Sequence, residues 1–174
     1  MYGNPKLCFT LKDNPEIYID RTFRVVPKPC YQLLIIMVFD KQTEVHVPVF
    51  YILLEGKQQA DYYHALYLAI VASKWKLEPS VATCDFERGL INKIEVQFPS
   101  KRDEHGKHLS GTKNNGCLFR FKQAIRRKLV EFQLSVEFRN EKMKQGSIDL
   151  HTVVPISEIR EIGMPFLNRK IRWT

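Results

Sequence analysis

Residues 16–54 read EIYIDRTFRVVPKPCYQLLIIMVFDKQTEVHVPVFYILL, and this stretch decides the fold. In its first part, EIYIDRTFRVV (16–26), Ile17, Ile19, Arg21, Phe23 and Val25 share one face of an extended chain. Tyr18, Asp20, Thr22 and Arg24 share the other. The β-branched and aromatic content favours a strand, with Asp20 at its middle on the more polar face. Pro27 and Pro29 then interrupt pairing. Gln32 to Phe39 is a nearly continuous apolar run, the pattern of a strand covered on both faces. Asp40 to Glu44 is a polar turn, and Val45 to Leu54 resumes as a strand. Three strands joined by short links predict an antiparallel meander.

Outward from the meander the period changes. In QQADYYHALYLAIVASK (58–74), Tyr62, Ala65, Leu66, Ala69 and Ile70 recur at three and four, which predicts an amphipathic helix. Ser80 to Phe86 is a short fourth strand that ends near Asp85. Glu87 to Phe98 reads as a second helix, with Leu90, Ile91, Ile94 and Phe98 inward and Glu87 in its first turn. Lys101 to Gly116 holds almost no apolar residue and predicts an exposed loop, with any fifth strand short and close to Cys117. A third helix is expected over Leu118 to Val136, with Leu118, Phe121, Ile125, Leu129, Phe132 and Val136 on one face. A further helix is expected from Ser157. The order is that of an α/β fold with a mixed five-stranded sheet flanked by helices. The expected organisation is a lead over 1–15, a core over 16–136 and a basic helical tail over 137–174. Phe23, Tyr31, Phe39, Tyr51 and Trp75 are assigned to the core.

Composition narrows the class. The chain has 174 residues, 44% hydrophobic and 26% charged, which excludes a disordered, collagen-like or coiled-coil chain. The apolar run Leu33 to Phe39 is far short of a membrane span. No secretory signal is visible in residues 1–10. Cys8, Cys30, Cys84 and Cys117 are scattered, as free thiols in a reducing, intracellular compartment are. The net charge of +8 is uneven: residues 1–100 carry 11 Lys/Arg and 11 Asp/Glu, and residues 101–174 carry 16 and 8. A basic half beside a neutral half points to an anionic partner, and nucleic acid is the first candidate. The plainer reading is a solvated basic surface.

Two aspartates could carry chemistry. In a sheet ordered 3-2-1-4-5 the first and fourth strands are neighbours, and Asp20 and Asp85 can approach each other. Paired carboxylates repel unless a cation neutralises them, and hard oxygen ligands suit Mg²⁺ or Mn²⁺. The alternatives are an Asp85 that caps the second helix and an Asp20 that is simply an exposed charge. On the third helix, Arg120, Lys122, Arg126 and Arg127 could lie along DNA phosphates; the competing reading is a solvated basic face. His105 and His108 have a spacing that could mimic a ligand pair. His46, His64 and His151 are isolated.

Four segments in order carry a family resemblance: IDRTFRVVPKPCYQLLIIMVF, VPVFYILL, DFERGLINKIEVQFP and GCLFRFKQAIRRKL. Together they resemble the transposase catalytic domain of Mutator-like elements, with its DGTF strand, YQL strand, VP and YALL strand, TDFE motif and GCxFH motif opening a basic helix. The resemblance spans about residues 16–136. It implies a ribonuclease-H-like fold and a DDE-type enzyme that cuts and transfers DNA strands with two divalent metals. By position, Asp20 and Asp85 match the first two catalytic, metal-binding aspartates, Glu87 the glutamate of the DFE motif and Cys117 the cysteine of C-x2-H. It also implies Mg²⁺ or Mn²⁺, DNA partners (transposon ends and target), a nuclear location and a homo-oligomer.

The chain departs from that pattern in three places. Arg21 stands where the family has glycine. Arg120 stands where it has histidine, and a guanidinium cannot ligate a metal. The third acid lies in the family beyond a helical insertion; here Glu158 and Glu161 are the nearest substitutes, so the catalytic set reads as C-terminally truncated and weakly active or inactive. The alternative function is a non-catalytic DNA-binding or interaction module derived from a transposase.

Overall fold

The computed structural model describes residues 1–3, 16–102, 104, 108–144, 147, 148 and 154–166, with the backbone alone at residues 102, 108–110 and 156. The chain divides into two units, Met1–Gly116 and Cys117–Thr174.

In the first unit, alternating residues build β2 (Glu16–Thr22), β3 (Gln32–Asp40) and β4 (Val45–Leu54). These pair antiparallel, β2 with β3 and β3 with β4. The register puts Ile17 opposite Val38, Ile19 opposite Ile36 and Leu34 opposite Ile52, so one face collects the branched side chains. β5 (Val81–Cys84) runs parallel to β2, and β8 (Lys113–Gly116) runs parallel to β5. β1 (Tyr2–Gly3) closes the far edge against Phe50 and Tyr51. The sheet therefore has six strands, ordered β1-β4-β3-β2-β5-β8, not five. The sixth is a two-residue edge that no periodicity could announce.

Two helices cover one face. α1 (Gln59–Ala72) buries Tyr62, Ala65, Leu66, Ala69 and Ile70, the five residues its period selects. α2 (Arg88–Gln97) buries Gly89, Leu90 and Ile94, with Phe98 buried just beyond; its N-cap is Glu87, one position earlier than a first-turn residue. Packing between them is close. A methyl group on Gly89 would meet the Tyr62 ring at 3.3 Å, tighter than most real contacts. Tyr62, Phe50, Leu34, Ile36, Leu66 and Leu90 are sealed at the centre of this layer. Truncating such a side chain costs about 2–5 kcal/mol.

Several expectations are corrected. β2 stops at Thr22, so Phe23 and Val25 are exposed. Among the described residues β3 is sealed on one face: Leu34, Ile36 and Val38 are buried while Leu33, Ile35, Met37 and Phe39 stay half-buried. Of the five aromatics assigned to the core, Phe23, Tyr31, Tyr51 and Trp75 are exposed and Phe39 is half-buried. Aromatic content alone does not say which face of a one-sided sheet a ring occupies. Trp75 follows α1 in a left-handed turn, with Lys74 at φ 54° and Trp75 at φ 63°.

The stretch 101–116 is not a plain loop. β6 (Ser100–Arg102) pairs with β7 (His108–Gly111), and β8 follows at once. Polar residues suffice for β8 because a short edge strand needs ladder bonds on one side only, and polar side chains discourage further pairing. Thr112 anchors it: buried, it donates its hydroxyl to the Pro79 carbonyl, and the next amide, Lys113 N, donates to Ser80 O at 2.8 Å.

In the second unit, α3 (Leu118–Glu131) and α4 (Val136–Lys142) replace the single helix expected over 118–136. Gln133 takes φ 57°, and its amide donates to Val130 O at 2.9 Å while Leu134 N reaches back to Leu129 O at 3.3 Å. This is the hydrogen-bond pair of a Schellman stop. Ser135 then caps α4, accepting from Phe138 N at 3.2 Å. Ile156–Glu158 forms a 3₁₀ turn and Ile159–Gly163 a π-helical turn where a helix was expected from Ser157.

Gly111 joins the small hairpin to β8 at φ 82°, and a side chain there would run into the Pro99 carbonyl. Gly111→Ala is expected to lower unfolding free energy by about 1–3 kcal/mol or more. Urea titration followed by circular dichroism checks it; an unchanged midpoint contradicts the assignment.

Candidate functional site

The parallel pairing of β2 with β5 ends at Ile19 opposite Cys84. Asp20, still within β2, and Asp85, just past β5, come next, so the sheet delivers both backbones to the same level at the same end. The sequence places them 65 positions apart, and only the crossover through α1 brings them together. Their side chains are not treated alike. Asp20 lies within β2 opposite Ile35, on the face alternate to Arg21. Arg21, opposite Leu34, belongs to the helix-covered face.

Arg21 organises that face. Its Nη2 donates to Asp85 Oδ2 at 2.6 Å and its Nε donates to the same oxygen at 2.9 Å. Nη2 also lies 3.4 Å from Glu87 Oε2. Nη1 donates to the Tyr62 hydroxyl at 2.6 Å. The Arg21 and Asp85 side chains are only 10% and 13% exposed, so this pair is weakly screened. Glu87 is 37% exposed, and its long contact contributes little. Burial works against the Arg21 charge, but Asp85 and Tyr62 outweigh it and raise the guanidinium pKa above its ordinary value. The group is a permanent cation.

The network continues into the core. Gln32, fully buried on β3, donates from Nε2 to the Gly56 carbonyl at 2.6 Å and to the Tyr62 hydroxyl at 3.2 Å. Asp85 Oδ1 accepts the Glu87 amide at 3.2 Å. Asp85 therefore does bond near the start of α2, through the N-cap residue's own amide. A continuous chain of polar bonds runs from the β4–α1 connection through β3, α1 and β2 to the end of β5. Sequence reasoning named Arg21 only as a departure. It missed Gln32 and Tyr62, whose polar atoms sit among apolar neighbours; Tyr62 carried a signal only for burial.

A divalent ion would need open oxygens. Both oxygens of Asp85 already accept hydrogen bonds, two of them from a cation. Among the described residues, no three His, Cys, Asp or Glu side chains gather closely enough to hold a metal. As arranged, the donor set does not fit a divalent cation. His105, His151 and the terminal Arg169, Lys170, Arg172 and Trp173 lie outside the described residues, as does the His108 side chain. Glu158 and Glu161 are exposed residues of the second unit.

In that second unit, Gln123, Arg126, Arg127 and Val130 line an open depression of about 460 Å³ along α3. Their spacing of three, four and seven is one helical stripe. Arg126 and Arg127 are exposed, and Arg120 Nη1 donates to Gln123 Oε1 at 3.4 Å. Lys122 is half-buried and does not line the depression. Cys117 is the N-cap of α3, half-buried and in the free thiol form.

Asp85→Asn leaves the Arg21 charge without its partner and is expected to cost about 1–3 kcal/mol. Tyr62→Phe removes one acceptor shared by Arg21 and Gln32 and should cost about 1–2 kcal/mol. The two losses, measured by denaturant unfolding, should be non-additive in the double variant. Strict additivity would break the link between them.

No helix among the described residues is long and apolar enough to cross a membrane. No curated protein matches the sequence. A family model, the MULE transposase domain, matches residues 16–123, which holds β2 to β8, both helices of the first unit and the start of α3. The chain belongs to the MULE transposase domain family.

Proposed function

We propose that this chain is a transposase-derived DNA-binding module of ribonuclease-H-like fold that does not itself cut DNA. The observation that carries the reading is the Arg21–Asp85 pair: one acid of the expected catalytic set is already neutralised by a side chain. The order β4-β3-β2-β5-β8, antiparallel through β2 and parallel beyond it, supports the fold assignment. Membership of a transposase family supports DNA as the partner, and a nuclear place of action belongs to the same proposal. The α3 stripe supplies the contact surface. Exposed guanidinium groups of Arg126 and Arg127 beside Gln123 can grip phosphates with an affinity that depends on salt and hardly on sequence.

A second reading is favoured by one observation. Asp20 and Asp85 stand side by side in the backbone, directly past the last paired residues of β2 and β5. Under that reading they are the catalytic acids of a DDE-type transposase and hold Mg²⁺ or Mn²⁺ after Arg21 has moved away.

Anisotropy of a labelled DNA duplex separates these readings. Binding by the whole chain should weaken steeply between about 50 and 200 mM salt. Arg126→Ala/Arg127→Ala should lower affinity on any sequence and reduce the salt slope by about two. Absence of DNA binding, or a slope unchanged in the double variant, rejects the α3 surface. Plasmid incubated with Mn²⁺ should show no nicking above background; nicking abolished by Asp20→Asn would establish the second reading.

A further inference from the structure

We infer that Arg21 is the resident counter-ion of this centre, holding through its own side chain the place at Asp85 that a divalent cation would otherwise compete for. The inference deepens the reading of the β2–β5 end as the site and is independent of DNA binding at α3.

Three features single Arg21 out from an incidental ion pair. First, the contact is multiple and directional: two N–H donors converge on one carboxylate oxygen at 2.6 and 2.9 Å. Charge-assisted bonds of that length are the strong class. Second, the guanidinium is held from behind. Tyr62 accepts from Nη1, and the Tyr62 hydroxyl is itself fixed by Gln32, which is tied to the Gly56 carbonyl. The Arg21 carbon also lies 5.7 Å from the centre of the Tyr62 ring and 5.8 Å from that of Phe23. A side chain so preordered loses little entropy on pairing. Third, the pair is nearly sealed from water, so a second cation brought to Asp85 would meet a largely unscreened positive charge.

Geometry also settles what Arg21 can and cannot do. A guanidinium donates and cannot ligate. It neutralises Asp85 and leans toward Glu87, yet it offers no open position to a bound oxygen. Arginine does not deprotonate at any pH a protein tolerates, so proton release cannot vacate the place. Only movement or replacement of the side chain can.

The experiment titrates the whole chain with Mn²⁺, counting free ion by electron paramagnetic resonance and following melting temperature in parallel. In the parent chain, melting should be flat with Mn²⁺. Arg21→Ala should melt lower without metal and gain stability as Mn²⁺ rises, with an affinity about tenfold or more above the parent. That gain should vanish in Arg21→Ala/Asp85→Asn. If Arg21→Ala does not fold, Arg21→Gln keeps the apolar stem and hydrogen-bonding tip while removing the charge, and the same gain is expected. Equal Mn²⁺ affinity in the parent and the Arg21 variants, or a gain that survives loss of Asp85, overturns the inference. Because no DNA is present, failure here leaves the α3 test standing, and failure of DNA binding leaves this one standing.

Discussion

A charge placed beside a nearly buried carboxylate must be matched, and here the match is Arg21 on Asp85. Everything around the β2–β5 end answers to that requirement. Asp85 without a cation would be a partly buried, uncompensated anion beside Glu87, and the guanidinium without Asp85 would be an uncompensated cation against Tyr62. Each is tolerable only because the other is there. The pair also links elements that do not adjoin in sequence: the end of β2, the exit from β5 and the inner face of α1. Gln32 extends the linkage to β3 and to Gly56 just before α1. A polar chain laid through the edge of an apolar layer gives that layer one register, because a slip of one residue would turn Arg21 and Gln32 away from their partners.

The ionic centre and the apolar layer occupy different parts of the first unit. The hydrophobic layer between sheet and helices is built from Ile17, Ile19, Leu34, Ile36, Phe50, Ile52, Tyr62, Leu66, Leu90 and Ile94, and the Tyr62 hydroxyl ties that layer to the ionic centre. The ionic centre sits at the strand ends, where the layer opens. In a parallel pair such ends are where a sheet presents functional groups, since the chain must leave each strand there to begin a crossover. Asp20 and Asp85 occupy that position, and Arg21 takes up one of the two carboxylates from within the same strand as the other. The basic excess, meanwhile, is concentrated in residues 101–174, which include the α3 stripe; the neutral half carries the ionic centre.

Legibility in the sequence followed physical visibility. The inner residues of α1 were readable one by one, because a helix against a sheet must place apolar side chains at three and four and nothing else competes. β3 was readable as a strand and misleading as to coverage. Its run of apolar residues fits two covered faces, while the described layer covers one and leaves Leu33, Ile35, Met37 and Phe39 half-buried. The break at Gln133 was hidden because its cause, a left-handed residue closing two backbone bonds, has no glycine to mark it; the serine that starts α4 was the remaining sign. β8 was expected as a short strand close to Cys117, but its bounds were hidden for a different reason. Lys113–Gly116 earns its strand from the neighbour it pairs with and from the buried Thr112, not from its own composition.

By itself the sequence determined the α/β class, the meander of β2 to β4 and both covering helices. Those follow from periodicity and from residue chemistry, which are local. Only the tertiary structure decided that the sheet gains β1 at its edge, that Asp20 and Asp85 reach one level by parallel pairing, and that Arg21 neutralises Asp85. The reason is that a side chain's partner across 64 positions is set by strand order and register, and no local pattern encodes which distant group a guanidinium will meet.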